Sequence, residues 1–327
     1  MMPKLYELGE RFLIKHIIEQ VGGCEEPILG HGDDAAAFWF NGLMVACVDT
    51  LVWETDVPRT MSWRQAGWKA VVSAVSDAAA KGARPKYLLL SLALNPSTDF
   101  EDFKQLLLGV REAADRYNAR IIGGDLNEHS LNTASVTVLA EAERVVGRNG
   151  AKPGDLLATT GLFGKTYAAL HAITHSLPAD EEIFQSLYSP EARVEEGVAL
   201  AMSGGVSACI DSSDGLAETI YLLSESSGVG FVVEKLPLDS SAEKYCRKNG
   251  LNPYEAVFYG GEEYELVFTV KKGWEDVVTS ALERMGRRLY IIGHAVEQRA
   301  VKFVEEGEER NIERRGWQHF NKSRKTL

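Results

Sequence analysis

Acidic residues recur along this chain inside runs of small residues. Gly32-Asp33-Asp34-Ala35-Ala36 comes first, then Val48-Asp49-Thr50, Ser76-Asp77-Ala78-Ala79 and Gly123-Gly124-Asp125. Asp211-Ser212-Ser213-Asp214-Gly215 and Gly260-Gly261-Glu262-Glu263 follow. A carboxylate that faces water needs no glycine, alanine or serine beside it. Carboxylates that must crowd around hard cations do, because the backbone has to come close. For any single run the reading as a turn or helix cap is the stronger one, since Asp and Gly are ordinary turn residues. Taken jointly, the runs read as a polynuclear Mg²⁺ site that handles phosphates. Mg²⁺ takes oxygen ligands, keeps several waters and is completed by substrate phosphates.

The usual phosphate cradles are missing. The sequence has no GxxxxGK[ST], no GxGxxG after a strand and no GxSxG elbow. Nucleotide is therefore expected to be held through metals and backbone amides, with Arg148 as a candidate cation. Lys69 is a second candidate, and reads equally well as a solvated helical lysine. His171 and His175 are four apart on an expected helix. With no third ligand nearby they read as a solvated face.

These residues need rigid elements behind them. Met44–Val48 reads as a buried strand ending at Asp49. Ser62 caps a helix running to about Lys81, with Gly82 just past its end. Tyr87–Leu94 is an apolar strand, Asp99–Tyr117 an amphipathic helix, Arg120–Ile122 a short strand leading into Asp125, and Ala134–Val145 a further strand. Leu5, Leu8, Phe12, Ile17, Ile18 and Val21 predict one amphipathic helix at the start. The Gly- and Pro-rich stretch 147–155 is the expected boundary, giving domains 1–146 and 147–327. Beyond it, strands are expected at 156–160, 207–210, 231–233, 265–270, 290–295 and 300–304. Helices are expected at 164–174, after Ser189-Pro190, at 214–226 and near 274–285. The stretch from Glu305 is highly charged and its end reads as a mobile tail. Gly316-Trp317-Gln318-His319-Phe320 interrupts it, and two aromatics in so polar a segment need a docking place. Strands and helices alternate in both halves, which predicts an α/β (α+β) protein of two layered domains.

Composition narrows the class. The 327 residues are 45% hydrophobic and 25% charged, as in a soluble globular protein. A formal net charge of -12 argues against a nucleic-acid surface. No apolar run is long enough to span a bilayer and no signal peptide is read. Cys24, Cys47, Cys209 and Cys246 show no paired spacing and read as reduced thiols of a cytoplasmic protein.

The ordered motifs GHGDDAA, SDAAAKGARP, GGDLN, RNGAKPGD, DSSDGLAE and GGEEYELVFT resemble those of the thiamine-monophosphate kinases. That family belongs to the superfamily of aminoimidazole ribonucleotide synthetase-like ATP-binding proteins. GWQHF favours the thiamine kinases within the superfamily, and VWETDVPRTMS looks like their archaeal form. The resemblance spans about residues 5–320. It implies phosphorylation of thiamine monophosphate to thiamine diphosphate with ATP and Mg²⁺. It implies metal ligation by Asp34, Asp49, Asp77, Asp125, Asp211 and Asp214, with Asp33 orienting its loop or sharing a metal. It implies nucleotide contacts by Gly124, Asp125, Arg148 and Ser213, and substrate contacts by Glu262 and Trp317. It also implies a homodimer whose N-terminal domains form a barrel across the dimer axis, each followed by a C-terminal α/β domain.

Two positions depart from the family pattern. Asp56 stands where the family commonly has a substrate-proximal histidine, and Glu263 replaces the aspartate of GGED. No general base is assigned, since the attacking phosphate oxygen is already anionic near pH 7. The alternatives are another ATP-dependent member of the superfamily, such as an aminoimidazole ribonucleotide synthetase, or a non-catalytic nucleotide or Mg²⁺ sensor. The selenophosphate synthetases and the carbamoyl-handling hydrogenase proteins fit less well, because no reactive cysteine motif stands near either end.

Overall fold

The computed structural model describes residues 3–21 and 39–316. The chain forms two compact units, Met1–Ala78 with Ala83–Glu143, and Ala79–Gly82 with Arg144–Leu327.

The N-terminal unit contains α1 (Leu5–Leu8), α2 (Glu10–Val21), β1 (Leu43–Val52), α3 (Trp53–Asp56), α4 (Trp63–Ala80), β2 (Arg84–Leu94), α5 (Phe100–Arg116), β3 (Arg120–Glu128) and β4 (Thr133–Ala142). Among the described residues its four strands lie in the order β1-β4-β2-β3, so β1 and β3 are the edges of the described sheet. Only β2 and β3 run parallel. The first helix expected from sequence is in fact two, because Gly9 at φ 79 interrupts it.

α4 opens on a box in which Ser62 N donates to Gln65 Oε1 (2.8 Å) and Gln65 N donates back to Ser62 Oγ (3.3 Å). Gly82 at φ 78 follows its end. From Ala66 to Ala80 the helix is mostly small or apolar and buried on nearly every side, with Lys69 buried and Asp77 half-buried among them. α5 presents one stripe, Phe103, Leu106, Leu107, Val110, Ala113 and Ala114. The two helices meet backbone to backbone. A Cβ on Gly67 would stand 2.1 Å from the Leu106 carbonyl, and one on Gly109 only 1.8 Å from that of Arg64.

The C-terminal unit contains β5 (Leu156–Thr159), α6 (Lys165–His175), α7 (Glu181–Tyr188), α8 (Val194–Ser203), β6 (Val206–Asp211), α9 (Leu216–Ser227), β7 (Gly230–Val233), α10 (Ser240–Asn249), α11 (Pro253–Tyr259), β8 (Leu266–Val270), α12 (Glu275–Glu283), β9 (Tyr290–Val296), β10 (Val301–Glu305) and β11 (Glu308–Asn311). The sheet order is β11-β10-β7-β9-β5-β8-β6. Alternate strand residues feed two separate cores, as the pleat requires. Ala208, Ile210 and Val267 pack with Leu216, Ile220 and Phe258 of α9 and α11. Cys209, Leu266 and Phe268 pack with Leu200, Val278 and Leu282 of α8 and α12.

The structure corrects several expectations. Ser189-Pro190 ends α7 rather than opening a helix, and the next helix starts only at Val194. Proline disfavours a helical conformation in the residue before it, so Ser189 sits as a stop. α10 and α11 were not foreseen, although Asp239 caps the first through Ser241 N (2.9 Å) and Asn252-Pro253 starts the second. The stretch 147–155, expected as the domain boundary, is packed. Ala151 belongs to the core, and the buried Asp155 accepts from Lys152 N (3.0 Å) and Ser207 Oγ (2.6 Å). The charged stretch after Glu305 turns back as β11 on β10, and the end expected to be mobile lies outside the described residues.

Candidate active site

In the N-terminal unit the described candidate acids lie within regular elements. Asp49 is not the end of its strand. β1 continues to Val52, and Asp49 stands opposite Val136 with its Oδ1 accepting from Thr50 N (2.8 Å). Asp125 also lies inside a strand. β3 runs on to Glu128, and Asp125 is exposed, opposite Ser91, accepting from Asn127 Nδ2 (2.6 Å). The expected short strand is longer because ladder pairing with β2 continues past the glycines.

Between Leu88 and Leu89 the partner jumps from Ile121 to Gly123, a bulge that re-aims the rest of β3. Gly124 is exposed and must lack a side chain, since a Cβ there would lie 1.8 Å from the Leu90 carbonyl. Asp77 is the half-buried residue in an otherwise buried stretch of α4. Asp56 closes α3, accepting from Val52 N through Oδ2 (2.8 Å). Lys69 is neither a solvated lysine nor a surface cation for phosphate. It is 1% exposed, and its Nζ donates to the Asp56 carbonyl at 2.7 Å.

In the C-terminal unit two acidic loops lie side by side. Asp211 is the last residue of β6 and is buried, Ser213 is exposed, and Asp214 is half-buried. Backbone bonds tie this loop to the glycine-glutamate loop. Glu262 N donates to Ser213 O (2.7 Å), Tyr264 N to Ser212 O (3.0 Å) and Ser212 N to Glu265 O (2.9 Å). The fit needs glycine at Gly261, where a Cβ would stand 2.7 Å from Ser213 O. Glu262 and Tyr264 take left-handed φ values of 66 and 53. Strain of this kind persists only where the surroundings over-determine the backbone.

The second loop ends in an ion pair between the buried Glu265 and the half-buried Arg193. Glu265, 5% exposed, accepts from Arg193 Nε (2.9 Å) and Thr160 Oγ1 (2.7 Å). Burial opposes the charge on Arg193, yet the Glu265 carboxylate outweighs it and holds the guanidinium above its ordinary pKa. Glu263 turns the other way and accepts at the start of α6 from Gly164 N (2.7 Å) and Thr166 Oγ1 (2.8 Å). Burial lifts its carboxyl to about 7. A cleft of about 880 Å³ runs past this group, lined in part by Thr160, Lys165, Arg193, Glu263 and Arg287.

Arg148 is exposed on a segment that runs beside β6. Cys209 N donates to Gly147 O (2.9 Å), Ser227 Oγ donates to Arg148 O (3.0 Å), and a Cβ on Gly150 would lie 1.9 Å from Ser207 O. The strand that ends at Asp211 thus fixes Arg148. His171 and His175 stack at 4.2 Å, and His171 Nδ1 lies 3.0 Å from Tyr245 OH, so the first is a packed residue rather than a solvated one.

The candidate donors to a cation are all carboxylate oxygens, which suit hard Mg²⁺. Among the described residues no group of three His, Cys, Asp or Glu side chains gathers closely enough to hold a metal ion. Asp33, Asp34 and Trp317, expected in the site, lie outside the described residues. The pair Arg193–Glu265 was not anticipated. Its one sequence signal is a glutamate at the start of an apolar strand, which needs a partner to be buried.

Comparison with known proteins agrees with this architecture. The family profile "AIR synthase related protein, N-terminal domain" matches residues 32–142, and its C-terminal counterpart matches 152–305. These define a protein class of two mixed α/β domains. The thiamine-monophosphate kinase of Archaeoglobus fulgidus is 33% identical over 96% of this chain and 99% of its own. That of Aquifex aeolicus is 31% identical over 97% of this chain and 100% of its own. A solved structure described as "AaThiL complexed with AMPPCP and TMP" superposes with a TM-score of 0.77 at 30% identity, covering 98% of this chain and 100% of the other. The chain belongs to the thiamine-monophosphate kinases, within the AIR synthase related proteins.

Proposed function

We propose that this protein transfers the γ-phosphoryl group of ATP to the phosphate of thiamine monophosphate, giving thiamine diphosphate and ADP. The observation that carries the reading is the backbone-tied pair of acidic loops, Asp211–Gly215 and Gly260–Glu265, in a chain that aligns end to end with a relative described in complex with AMPPCP and TMP. An anionic phosphate oxygen of the acceptor attacks the γ-phosphorus in line, the bond to the bridging oxygen breaks, and ADP leaves. No proton has to be removed, so no general base is required. The protein's part is positioning and charge placement.

Asp34, Asp49, Asp77, Asp125, Asp211 and Asp214 would hold Mg²⁺, which when bound neutralises charge on the transferred phosphoryl group. Gly124, Asp125, Ser213 and Arg148 would meet the nucleotide, and Asp56, Glu262 and Trp317 the acceptor. In this assignment the N-terminal domain supplies ATP and Mg²⁺ binding, and the C-terminal domain most acceptor contacts.

The chain is proposed to work as a cytoplasmic homodimer. Leu43 and Val48 are 45% and 61% exposed on the edge strand β1, with Trp39 at 87% just before it. An apolar edge of this kind is a pairing surface, and its closure with a second copy would give the barrel across the dimer axis. No helix among the described residues is long and apolar enough to cross a membrane.

The test is ADP release with thiamine monophosphate, free thiamine and aminoimidazole precursors. Turnover with thiamine monophosphate that stops in excess chelator is expected. Turnover that survives chelation, or none at any Mg²⁺ level, would sink the reading.

A further inference from the structure

Asp56, the residue that departs from the family's histidine, has two indoles for neighbours. α3 starts at Trp53 and ends at Asp56, and α4 starts at Trp63. The rings of Trp53 and Trp63 stand 5.0 Å apart between centroids and 42° from parallel. Both tryptophans are half-buried, so each keeps a surface that a ligand can cover. Trp53 and Asp56 are three positions apart on one helical turn, and side chains at that spacing are neighbours.

This corner is held from outside. Trp53 N donates to Asn132 O (3.1 Å), and the buried Lys69 of α4 donates through Nζ to the Asp56 carbonyl (2.7 Å). The Asp56 side chain is half-buried, and Val52 N takes one of its oxygens, Oδ2 (2.8 Å). With Glu54, α3 carries two carboxylates and no cation.

Indole faces carry negative electrostatic potential, and an organic cation is attracted to them. A carboxylate beside them adds a full negative charge. A histidine at position 56 would supply hydrogen bonds without that fixed charge. Of the groups on the acceptor, the phosphate is repelled by such a corner and the thiazolium is attracted to it. Packing alone would make the two tryptophans a staple between α3 and α4, and a staple is blind to the charge of a ligand.

We propose that Trp53, Trp63 and Asp56 form a cation subsite that takes one face of the acceptor's thiazolium ring and sets the preference for a positively charged ring. The proposal rests on the functional reading above, in which thiamine monophosphate is the acceptor.

The test compares two acceptors, thiamine monophosphate and the monophosphate of its isostere in which a neutral thiophene replaces the thiazolium. Wild type is expected to show a KM roughly tenfold or more higher for the neutral acceptor. Asp56→Asn keeps an oxygen for Val52 N and removes only the charge. Trp53→Leu and Trp63→Leu each remove a ring. Each of the three should raise KM for thiamine monophosphate roughly three- to thirtyfold, the range of a cation over an indole. Each should leave KM for the neutral acceptor and for ATP within about twofold, so that the preference for the cation collapses. Trp53→Phe, which keeps an aromatic face, should fall between wild type and Trp53→Leu.

If the variants change both acceptors equally, or neither, the subsite is overturned and the functional reading stands. A wild-type chain without turnover on thiamine monophosphate sinks the functional reading instead. Calorimetric titration with thiamine monophosphate then decides the subsite. Weaker binding by D56N and W53L than by wild type supports it, and equal binding, or none by wild type, overturns it.

Discussion

In the N-terminal unit, Asp49 and Asp125 lie inside the two edge strands, and their positions are those of the β-ladder itself. In the C-terminal unit, Asp211 and Asp214 sit where a strand has ended, on a loop whose shape comes from hydrogen bonds to a second loop. The first device is local and periodic. Register with β4 or β2 settles which face each carboxylate takes, and a slip of one residue would send it to the other face. The second device is long-range. It needs the left-handed Glu262 and Tyr264, the glycine at 261 and the ion pair of Arg193 with Glu265 beneath. The same residue type is thus placed cheaply in one unit and by an extended supporting set in the other, so the two units should fail differently when perturbed.

The largest effect is expected where the two devices serve one chemistry. Asp77→Asn and Asp211→Asn should each lower turnover by roughly a hundredfold or more with the melting temperature retained, as expected when a positioned charge is removed from a transition state. The double variant should fall well short of the product, because both residues would act in one cluster. Near wild-type turnover in either one would reduce that residue to a structural part of its unit.

The support beneath the C-terminal loops comes next. Arg193→Ala leaves Glu265 buried without its cationic partner and should cost about 3–5 kcal/mol in urea unfolding. Replacing both by well-packed apolar residues should recover much of the loss in stability but not the activity. A cost below about 1 kcal/mol, the scale of an exposed pair, would contradict the burial argument.

Glu263 sharpens the comparison through pH. Its carboxyl is lifted by burial to about 7 in the folded chain, above the ordinary glutamate range, so ionising it costs the folded state. The stability it confers is complete below the unfolded pKa and is lost as pH rises through about 7. Wild type should therefore lose about 1–3 kcal/mol relative to Glu263→Gln between about pH 5 and pH 8, from linkage at 1.36 kcal/mol per unit. Parallel curves for the two proteins would show that the ionised carboxylate is fully compensated at the start of α6.

The smallest expected effect is in the acceptor contact. Thiazolium over an indole is worth about 0.5–2 kcal/mol, so Trp317→Ala should raise KM for thiamine monophosphate roughly three- to thirtyfold with KM for ATP little changed. Lower thermal stability with unchanged kinetics would make Trp317 a staple for the tail.

Local rules made much of this architecture readable. The apolar stripe of α5, the Ser62 box and Gly82 stop of α4, and the strand delivering Asp211 all depend on contacts within a few residues, and each lies where the pattern placed it. Of the acidic runs, Asp211–Gly215 and Gly260–Glu263 lie side by side, and the glycine at 261 is what that close backbone approach requires. Strand ends were less legible. β1 and β3 extend through Asp49 and Asp125 because pairing with neighbours distant in sequence continues there, and no local signal records how far a ladder runs. The same holds for Lys69. A lysine on a helix reads as solvated until the fold closes over it and offers the Asp56 carbonyl. The pairing of Arg193 with Glu265, 72 positions away, is a tertiary decision of the same kind. The sequence by itself determined most element types and the order of the acidic motifs, because these follow from short-range periodicity and residue type. Only the folded chain decided which loop lies against which, because burying a charge is settled by partners brought together from far along the chain.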